Sequence, residues 1–484
     1  MGEQIDAFLN SNKSLLIAPA GYGKTTFLAN CISMLLANVT KRILILTHTH
    51  AGVASIKKKC SDINSKGLVE ITTISGFTQK LVSSFNGSLP KPTKDGRPNF
   101  PKINEEAIII SNLNLVKKIL SNTFSHIFVD EYQDCSAKQH SILINIARYI
   151  PIHILADPLQ AIFRFNNNEG VLNFDTDFSD FEIFNFLQTP WRWYQEGNNK
   201  LLGDTIKIVR KSLIASENIR LDKLPGVVLI KTSSDLENFY QNLYGIIQDL
   251  KCNGLLVLYP NGFEYRIETR ASNRVRFDFA REFTLIEAID DKTFYLVAQL
   301  IDNFLKSSIT KTFIQELKEI LITSSFNKGD INKWFNDKGV KQKRQDDTVK
   351  IQSAELNSLY DSLNVERTAY NLYKFISFVR YNLHFSPKRP ELLYSIMSIL
   401  KMHSNDTILE RMAQNRNKVR IVGRKVDGKC IGTTLLTKGL EFEDVIVIDA
   451  HKIEDKENFY VAMTRASKRL IVMSESNLWP VSDD

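Results

Sequence analysis

Cysteine is scarce in this sequence of 484 residues: the chain has five, none in a C-x-x-C pair and none at metal-ligand spacing. This distribution argues against a disulfide framework and a zinc site, and it favours a reducing compartment. No apolar run approaches the ~18 residues that span a bilayer. The first residues, MGEQIDAFLNSN, lack the basic stretch and apolar stretch of a secretory signal. We therefore expect a cytoplasmic protein without a membrane partner.

Charge of one sign is in only modest excess. Lys plus Arg number 62 and Asp plus Glu number 54, which gives a formal charge of +8. This surplus mildly favours a polyanionic partner such as nucleic acid, and an unspecialised basic surface explains it equally well. The length of the chain predicts about three domains.

What the sequence does contain is a series of short apolar runs that end in polar residues. RILILT (42–47), HIFVDE (126–131) and IHILAD (152–157) have the composition of buried parallel strands, and helix-like segments alternate with them. The alternation predicts a doubly wound α/β domain, in which ligands bind at the carboxyl ends of the strands.

A second α/β region is predicted in the C-terminal half. Its strands are expected at four apolar runs: GVVLIKT (226–232), GLLVLY (254–259), EDVIVIDA (443–450) and RLIVMS (469–474). Between them, residues 287–325 and 358–385 carry apolar side chains at helical spacing, on either side of a predicted loop at 336–347. The expected fold class is therefore α/β with two parallel-sheet domains, a helical insertion in the second and a short insertion in the first.

The segment LLIAPAGYGKTTFLAN has the features of a loop that binds the phosphates of a nucleotide. Gly21 and Gly23 let the backbone approach a phosphate, and N–H groups of the loop and of the helix that it opens bind an anion. Lys24 would contact the β- and γ-phosphates, and the Thr25 hydroxyl would ligate Mg²⁺. The strict G-x-x-x-x-G-K-[ST] pattern fails at its first position, where this chain has Ala18, so a chance Lys-Thr pair in a Gly-rich turn stays open.

A strand that ends in paired acids, HIFVDEYQD, is expected to supply the other half of a nucleotide site. Asp130 could hold a metal ion through water, and Glu131 could lie beside an attacking water. Adjacent acids at a strand end are common. The pair is informative because a phosphate loop lies upstream in the same predicted sheet.

A third strand end, LADPLQAIFRF, carries polar and aromatic side chains together. Asp157 and Gln160 could report the state of a γ-phosphate. Phe163 and Phe165 could stack on bases, or they could belong to the core, which is the more frequent place for phenylalanine.

Two arginines complete the candidate residues. In TPWRW, Arg192 could neutralise a phosphate while Trp191 stacks on adenine. In NFYVAMTRASKRLIV, Arg465 follows an apparent helix start, where a single arginine is usually solvated.

Together, the segments DEYQD, ADPLQAIF, TKGLEFEDVIV and YVAMTRA resemble the ordered motif series of superfamily 1 DNA helicases of the UvrD-like branch. The resemblance implies two RecA-like domains that bind ATP and Mg²⁺ in the cleft between them. It also implies translocation on single-stranded or partly duplex DNA, usually from 3′ to 5′. Arginines that reach the γ-phosphate only in a closed cleft would couple hydrolysis to domain motion.

The resemblance assigns domains and residues. The expected domains are 1A at 1–195 with a reduced 1B insertion at about 81–105, 2A at 196–280 and 406–484, and a helical insertion at 281–405. The expected catalytic residues are Lys24, Asp130, Glu131, Gln160, Arg192 and Arg465. The expected nucleotide ligands are Gln4, Ala20, Gly21, Gly23, Lys24, Thr25, Thr26, Trp191, Gly439 and Glu441, with Thr25 and Asp130 on the metal. The expected DNA contacts are Thr47, His48, Phe77, Phe163 and Phe165.

Four departures from the family pattern fall where family members contact DNA or couple DNA to ATP: His48, Ser75, Asn166 and Leu435. The ATP site is therefore better preserved than the DNA track. Only about 50 residues separate Phe77 from Asp130, which leaves little room for a full first accessory domain.

Three functional hypotheses stay open from the sequence. The first is an ATP-driven translocase or helicase. The second is a DNA-sensing ATPase that regulates a partner nuclease, as the helicase subunit of Gabija-type anti-phage systems does with an OLD-family nuclease; the compact size resembles that subunit. The third is a nucleotide-binding scaffold without hydrolysis, which the retained lysine, glutamate and arginines disfavour. The segment YNLYKFISFVRYNLHF, with Lys374 and Arg380 among its rings, could be core, a nucleic-acid surface or a docking face.

Overall fold

The computed structural model describes most of the chain. The described residues are 2–63, 67–93, 97–162, 172–195, 198–232, 236–250, 254–260, 283–286, 291–306, 311–343, 346–422 and 428–480. They form two compact units. The first takes the described residues of 1–89, 100–286 and 421–484, and the second takes those of 90–99 and 287–420.

The first sheet of the first unit is built from six parallel strands. They are β1 Lys13–Ile17, β2 Arg42–Thr47, β3 Val69–Thr73, β4 Phe124–Val129, β5 Ile152–Ala156 and β6 Glu182–Phe184, in the spatial order β3-β2-β4-β5-β1-β6. Its helices are α1 Gly2–Asn10, α2 Lys24–Leu36, α3 His50–Cys60, α4 Ile74–Asn86, α5 Phe100–Ser111, α6 Asn114–Thr123 and α7 Ala137–Ala147.

Apolar side chains on both faces explain why these strands are nearly continuous hydrophobic runs. Along β2, Leu44 and Leu46 belong to one buried cluster, whereas Ile43 and Ile45 belong to another. Successive residues of a strand point to opposite faces, so each face needs its own apolar set. The polar residues lie instead where the strands end, and we call this carboxyl end of the sheet its polar edge.

Threonine caps hold the segments that follow β2 and β3. The Thr49 hydroxyl accepts a hydrogen bond from the Gly52 N–H at 3.0 Å, and the Thr73 hydroxyl accepts one from the Gly76 N–H at 3.0 Å. Each bond satisfies an amide that the first turn of a helix leaves without a helical partner. The caps fix where α3 and α4 begin, immediately beyond the polar edge.

The second sheet of the first unit is also parallel. Its strands are β8 Val227–Lys231, β9 Leu255–Tyr259, β10 Phe283–Leu285, β11 Lys429–Thr433, β12 Phe442–Val447 and β13 Ala466–Ser474, in the order β10-β11-β9-β12-β13-β8. A small antiparallel pair joins β7 Ile219–Arg220 to β14 Leu478–Trp479. The helices are α8 Trp191–Tyr194, α9 Lys200–Ile214, α10 Leu236–Asp249, α18 Thr434–Thr437 and α19 Lys456–Met463.

The second unit is helical. Its helices are α11 Lys292–Leu305, α12 Phe313–Thr323, α13 Lys328–Trp334, α14 Asp347–Val365, α15 Ala369–Tyr381, α16 Pro390–Lys401 and α17 Ile408–Val422. One hydrophobic cluster runs through all seven. On α15, Leu372, Phe375 and Val379 are buried in that cluster, so core packing accounts for one face of the aromatic segment.

The expected fold class, α/β with two parallel sheets and a helical insertion between strands of the second, is confirmed. Within the range of the insertion expected at about 81–105, α4 continues to Asn86 and α5 begins at Phe100. The apolar residues at its two ends, Val82 and Ile103, are buried in the core of the first sheet. Within the described part of the chain, no helix has the length and apolar content to cross a membrane.

Candidate nucleotide site

The loop between β1 and α2 has the backbone that its two glycines allow. Gly21 has φ 75° and Gly23 has φ 89°, both in the left-handed region that favours glycine. Lys24 begins α2 and is buried, and its Nζ donates to the carbonyls of Ala18 at 2.7 Å and Pro19 at 3.1 Å. The ammonium group is therefore held inside the curve of the loop, where a phosphate would bind.

Gly21 also makes room for α8, a reason that the sequence did not indicate. A Cβ atom at this position would lie 2.7 Å from Trp193 Cζ3 and 3.0 Å from Arg192 Cβ. The Arg192 N–H donates to the Gly21 carbonyl at 3.0 Å. The buried Trp193 indole donates from Nε1 to the Ala466 carbonyl at 2.7 Å, so α8 joins the loop to the start of β13.

The paired acids follow β4 in a strained turn. Glu131 adopts φ 57° and ψ 41°, a left-handed conformation that costs a non-glycine residue about 1 kcal/mol or more. The Glu131 N–H donates to Asp130 Oδ1 at 3.0 Å, and the Gln133 amide donates to Glu131 Oε2 at 2.5 Å. Strain of this kind is typical of functional sites, where neighbouring contacts hold a side chain in place.

The two carboxyl groups have opposite pKa shifts. Burial, and then the charge of Glu131, raises the pKa of Asp130 to about 7. Burial also acts to raise the pKa of Glu131, but Lys438, Lys24 and the Gln133 amide outweigh burial and lower it. Glu131 is therefore the more readily ionised carboxylate of the pair.

Thr25 and Asp130 fit the small set of protein ligands that Mg²⁺ needs. The ion commonly takes one or two protein oxygens and completes its shell with water and phosphate. A buried carboxyl with a raised pKa gains most from a nearby cation. Among the described residues, no group of three His, Cys, Asp or Glu side chains could hold a metal ion. The assignment of Thr25 and Asp130 as ligands of a Mg²⁺ ion that accompanies a nucleotide stays a prediction.

Lys438, which the sequence did not single out, connects the second sheet to these acids. It precedes β12 and is buried, and its Nζ forms an ion pair with Asp134 and donates to the Gln160 carbonyl. The same Nζ lies 3.7 Å from Glu131 Oε2. Burial, and then the charge of Lys438, lowers the pKa of His48 to about 3, so this imidazole is neutral at pH 7.

The two predicted arginines meet residues of both sheets. Arg192 Nε donates to Glu441 Oε2 at 2.7 Å, and Arg192 Nη1 donates to the Thr464 carbonyl at 2.6 Å. Arg465 is buried, and its Nη2 donates to Gln160 Oε1 at 3.3 Å. Burial and the nearby charge of Arg192 lower the pKa of Arg465 to about 10, although Glu131 and Glu441 favour its charged form.

The remaining predicted nucleotide ligands lie around the loop with differing exposure. Trp191 is 51% exposed, and its Cδ1 lies 3.4 Å from where a Cβ on Gly23 would be. The exposed Thr26 hydroxyl accepts a hydrogen bond from Lys59 Nζ at 2.7 Å. Burial lowers the pKa of Lys59, while Glu441 and Asp130 act to raise it. Lys59, at the end of α3, thus adds a cation beside the loop that the sequence did not indicate.

The other assignments are distributed as follows. Gln4 is exposed on α1, Ala20 is buried beside the loop, and Gly439 has φ 79° in the segment that carries Lys438. Thr47 is buried at the end of β2, and Phe77 packs in the core of the first sheet, which accounts for its ring without DNA. Their DNA contacts stay predictions. Phe163, Phe165 and Asn166 lie outside the described residues.

A family model matches the part of the chain that holds the loop and the acids, and a solved structure was compared over nearly the whole chain. Residues 2–166 match the model of a family described as an AAA domain. No curated protein sequence matches the chain. A solved structure of Pif1 helicases, described as a basis for DNA unwinding at forked double-stranded DNA by two coordinating molecules, has a TM-score of 0.40. Its sequence is 12% identical, and the comparison covers 98% of this chain and 91% of that one.

Proposed function

We propose that this protein is an ATP-dependent translocase or helicase that acts on single-stranded DNA, with ATP and Mg²⁺ bound between its two parallel sheets. The observation that carries the proposal is the contact of Arg465, which immediately precedes β13 of the second sheet, with Gln160, which follows β5. It brings an arginine of the second sheet to the strand ends that hold the phosphate loop and the acids. The predicted domains 1A, 2A and helical insertion are part of the proposal.

The proposed chemistry gives each group a separate task. Lys24 and the loop amides bind the β- and γ-phosphates, and bound Mg²⁺ would screen the phosphate charge. Glu131, kept ionised by Lys438 and Gln133, accepts a proton from the attacking water. Arg192 and Arg465 stabilise the charge that develops on the transferred phosphoryl group. Because Arg465 belongs to the second sheet, its alignment depends on how closely the two sheets approach.

The DNA part of the proposal is supported by the motif resemblance and by the formal charge of +8. The direction that we propose, from 3′ to 5′, is the one that the resemblance implies. Among superfamily 1 helicases, the motif series is closest to the UvrD-like branch, and we retain that assignment here.

The first test is ATP hydrolysis by the purified chain with and without single-stranded DNA. We expect hydrolysis that DNA stimulates, and a loss of about 10²- to 10⁴-fold in turnover for Glu131→Gln, since a general base contributes that much. Unwinding of duplexes with a 3′ or a 5′ single-stranded tail then tests the direction. Hydrolysis by Glu131→Gln at the wild-type rate would refute the assignment of the base.

A second candidate function is a DNA-sensing ATPase that gates a partner nuclease of the OLD family, in the manner of a Gabija-type defence system. The observations that favour it are Leu435, one of the departures from the family pattern at positions that contact DNA or couple DNA to ATP, and the short segment between α4 and α5. Under this alternative, DNA would stimulate hydrolysis, but the chain alone would not unwind a tailed duplex.

A further inference from the structure

Arg210 lies on α9, outside every segment in which the sequence indicated chemistry. It is the eleventh residue of α9, and its side chain is only 14% exposed. Its Nη1 lies 2.7 Å from Oδ1 of Asp157, whose side chain is fully buried. A buried ion pair adds little net stability, because both groups lose their hydration. A gain in folding stability therefore does not explain why Arg210 is buried beside Asp157.

Asp157 connects Arg210 to Gln160, the predicted γ-phosphate sensor. One carboxylate oxygen accepts from Arg210, and the other accepts from Gln160 Nε2 at 2.8 Å. A carboxylate only accepts hydrogen bonds and a guanidinium only donates them. The Gln160 amide must therefore turn its nitrogen toward Asp157 and its oxygen toward Arg465, which is the orientation seen.

The same guanidinium also contacts α19, the helix that precedes Arg465. Arg210 Nη1 donates to the Tyr460 hydroxyl at 3.1 Å, and the guanidinium lies 5.3 Å from the centre of the Tyr460 ring. Tyr460 is buried in α19, which ends two residues before Arg465. Arg210 thus holds one partner of the Gln160–Arg465 contact through Asp157 and the other through Tyr460.

We propose that Arg210 is a positioning residue for ATP hydrolysis, which sets the relative placement of Gln160 and Arg465 without touching the nucleotide. The inference rests on the proposed ATPase activity. Its role is to align a pair of groups that act on the γ-phosphate, so its removal should lower turnover much more than nucleotide affinity.

The test compares Arg210→Met and Arg210→Lys in the full chain. Methionine keeps much of the length and apolar volume of the stem, and lysine keeps the charge but lacks the planar guanidinium, whose Nη1 donates to both Asp157 and Tyr460. We expect Arg210→Met to lose about tenfold or more in kcat, while the Kd of a non-hydrolysable ATP analogue changes by less than about threefold. Arg210→Lys should recover part of the turnover.

The matched control is Arg220→Met, at an arginine whose side chain is 54% exposed and whose partner Asp222 lies two residues away. It should leave kcat, analogue affinity and thermal unfolding unchanged. Thermal unfolding of each variant shows whether a loss of turnover comes from a loss of folded protein.

A double-mutant cycle with Gln160→Ala separates alignment from a general structural effect. If Arg210 acts through Gln160, then Arg210→Met should cost little further turnover once Gln160 has been removed. Equal losses in both backgrounds, or a wild-type kcat for Arg210→Met, would overturn the inference. If the wild-type chain hydrolyses no ATP with DNA present, the proposed function fails instead, and the two failures are therefore distinguishable.

Discussion

At the scale of single residues, Lys438 shows how one buried cation can interact with two acidic side chains of the site. Its ammonium group pairs with the fully buried Asp134 and lies within 3.7 Å of Glu131 Oε2. Burial acts to raise the pKa of Glu131, and the charge of Lys438, ahead of Lys24 and the Gln133 amide, lowers it. A lysine from the second sheet thus helps to keep the predicted base in the first sheet ionised.

Replacement of Lys438 tests that dependence. Lys438→Met leaves the buried Asp134 without this ion pair and takes one of the nearby positive charges away from Glu131, and breaking a buried ion pair in this way typically costs about 3–5 kcal/mol. We expect a lower free energy of unfolding in urea and a loss of turnover of about tenfold or more. Lys452→Met is the control, since that side chain is 38% exposed and its Nζ lies 3.5 Å from Asp449 Oδ2. Similar stabilities for the two variants would contradict the assigned role.

His153 makes stability depend on pH independently of the nucleotide site. It is buried in β5, its Nδ1 lies 2.7 Å from the Ser14 hydroxyl, and burial, followed by the charge of His126, lowers its pKa to about 3. An unfolded histidine takes up a proton near pH 6.5. Between these pKa values the unfolded chain binds more protons, so the free energy of unfolding falls as pH falls through this window, by up to about 1.4 kcal/mol per pH unit.

Urea unfolding of the wild type and of the double variant Ser14→Ala, His153→Phe at pH 7.5 and 5.5 measures this contribution. The double variant removes the titrating ring together with its hydrogen-bond partner, so no buried hydroxyl is left alone. We expect its stability to fall less between the two pH values than that of the wild type. The same fall in both proteins would show that other groups cause the pH dependence.

At the scale of elements, the phosphate loop is shaped by α8 as well as by its own glycines. Gly21→Ala would force a Cβ into a left-handed residue at 2.7 Å from the buried Trp193 ring. The backbone strain costs about 1 kcal/mol, and overpacking adds about 1–3 kcal/mol. We expect a clear loss of stability and weaker binding of an ATP analogue, because α8 and the loop must move apart.

Gly87→Ala separates the two contributions. Gly87 ends α4 with φ 73°, close to the value of Gly21, but a Cβ there would meet no atom within 4 Å. Its substitution should therefore show only the backbone cost, with unchanged affinity for the analogue. If both variants are destabilised equally in urea, contact with Trp193 contributes nothing.

The elements also show what the sequence could predict. Buried parallel strands are continuous apolar runs, so β2, β4 and β5 and the polar residues at their ends were expected where they lie. Asp130 and Glu131 come directly after β4, and Lys24 follows the loop after β1. The shape of the insertion did not follow, because Pro, Gly and Lys residues between α4 and α5 obscured the helical spacing at both of its edges.

The residues that connect the sheets could not have been predicted in this way. Lys438 meets Asp134 across 304 positions of sequence, and Arg210 meets Asp157 across 53. Such pairs depend on how the sheets pack, which no local pattern records. Lys438 and Asp134 do lie in the segments TKGLEFEDVIV and DEYQD, and their place in these family motifs is the sequence signal that could have indicated them.

At the scale of the whole molecule, each of the two compact units has its own hydrophobic core. Domains with separate cores commonly unfold in separate transitions. An ATP analogue at about 100 times its Kd should stabilise the unit that binds it by about 2.7 kcal/mol. We expect the analogue to move the urea midpoint of the first unit, while the midpoint of the second changes little.

Pulsed hydrogen exchange with mass spectrometry across a urea series can report on both units, since each peptide belongs to one of them. Lys24→Ala is the control, because it should remove the shift caused by the analogue without altering the helical unit. A shift of the same size in peptides of both units would contradict the expectation.

The order of strands in the second sheet has a consequence for how the chain is made. Among the described residues, β8, β9 and β10 pair with no strand of their own segment; each pairs only with β11, β12 or β13. A ribosome adds about 5–20 residues per second, so the first three strands wait on the order of 10 s for their partners. During that time their apolar side chains and open edges are aggregation-prone, whereas the first sheet can already be complete. Translation speed and chaperone supply should therefore limit the yield of this protein more through its second sheet than through its first.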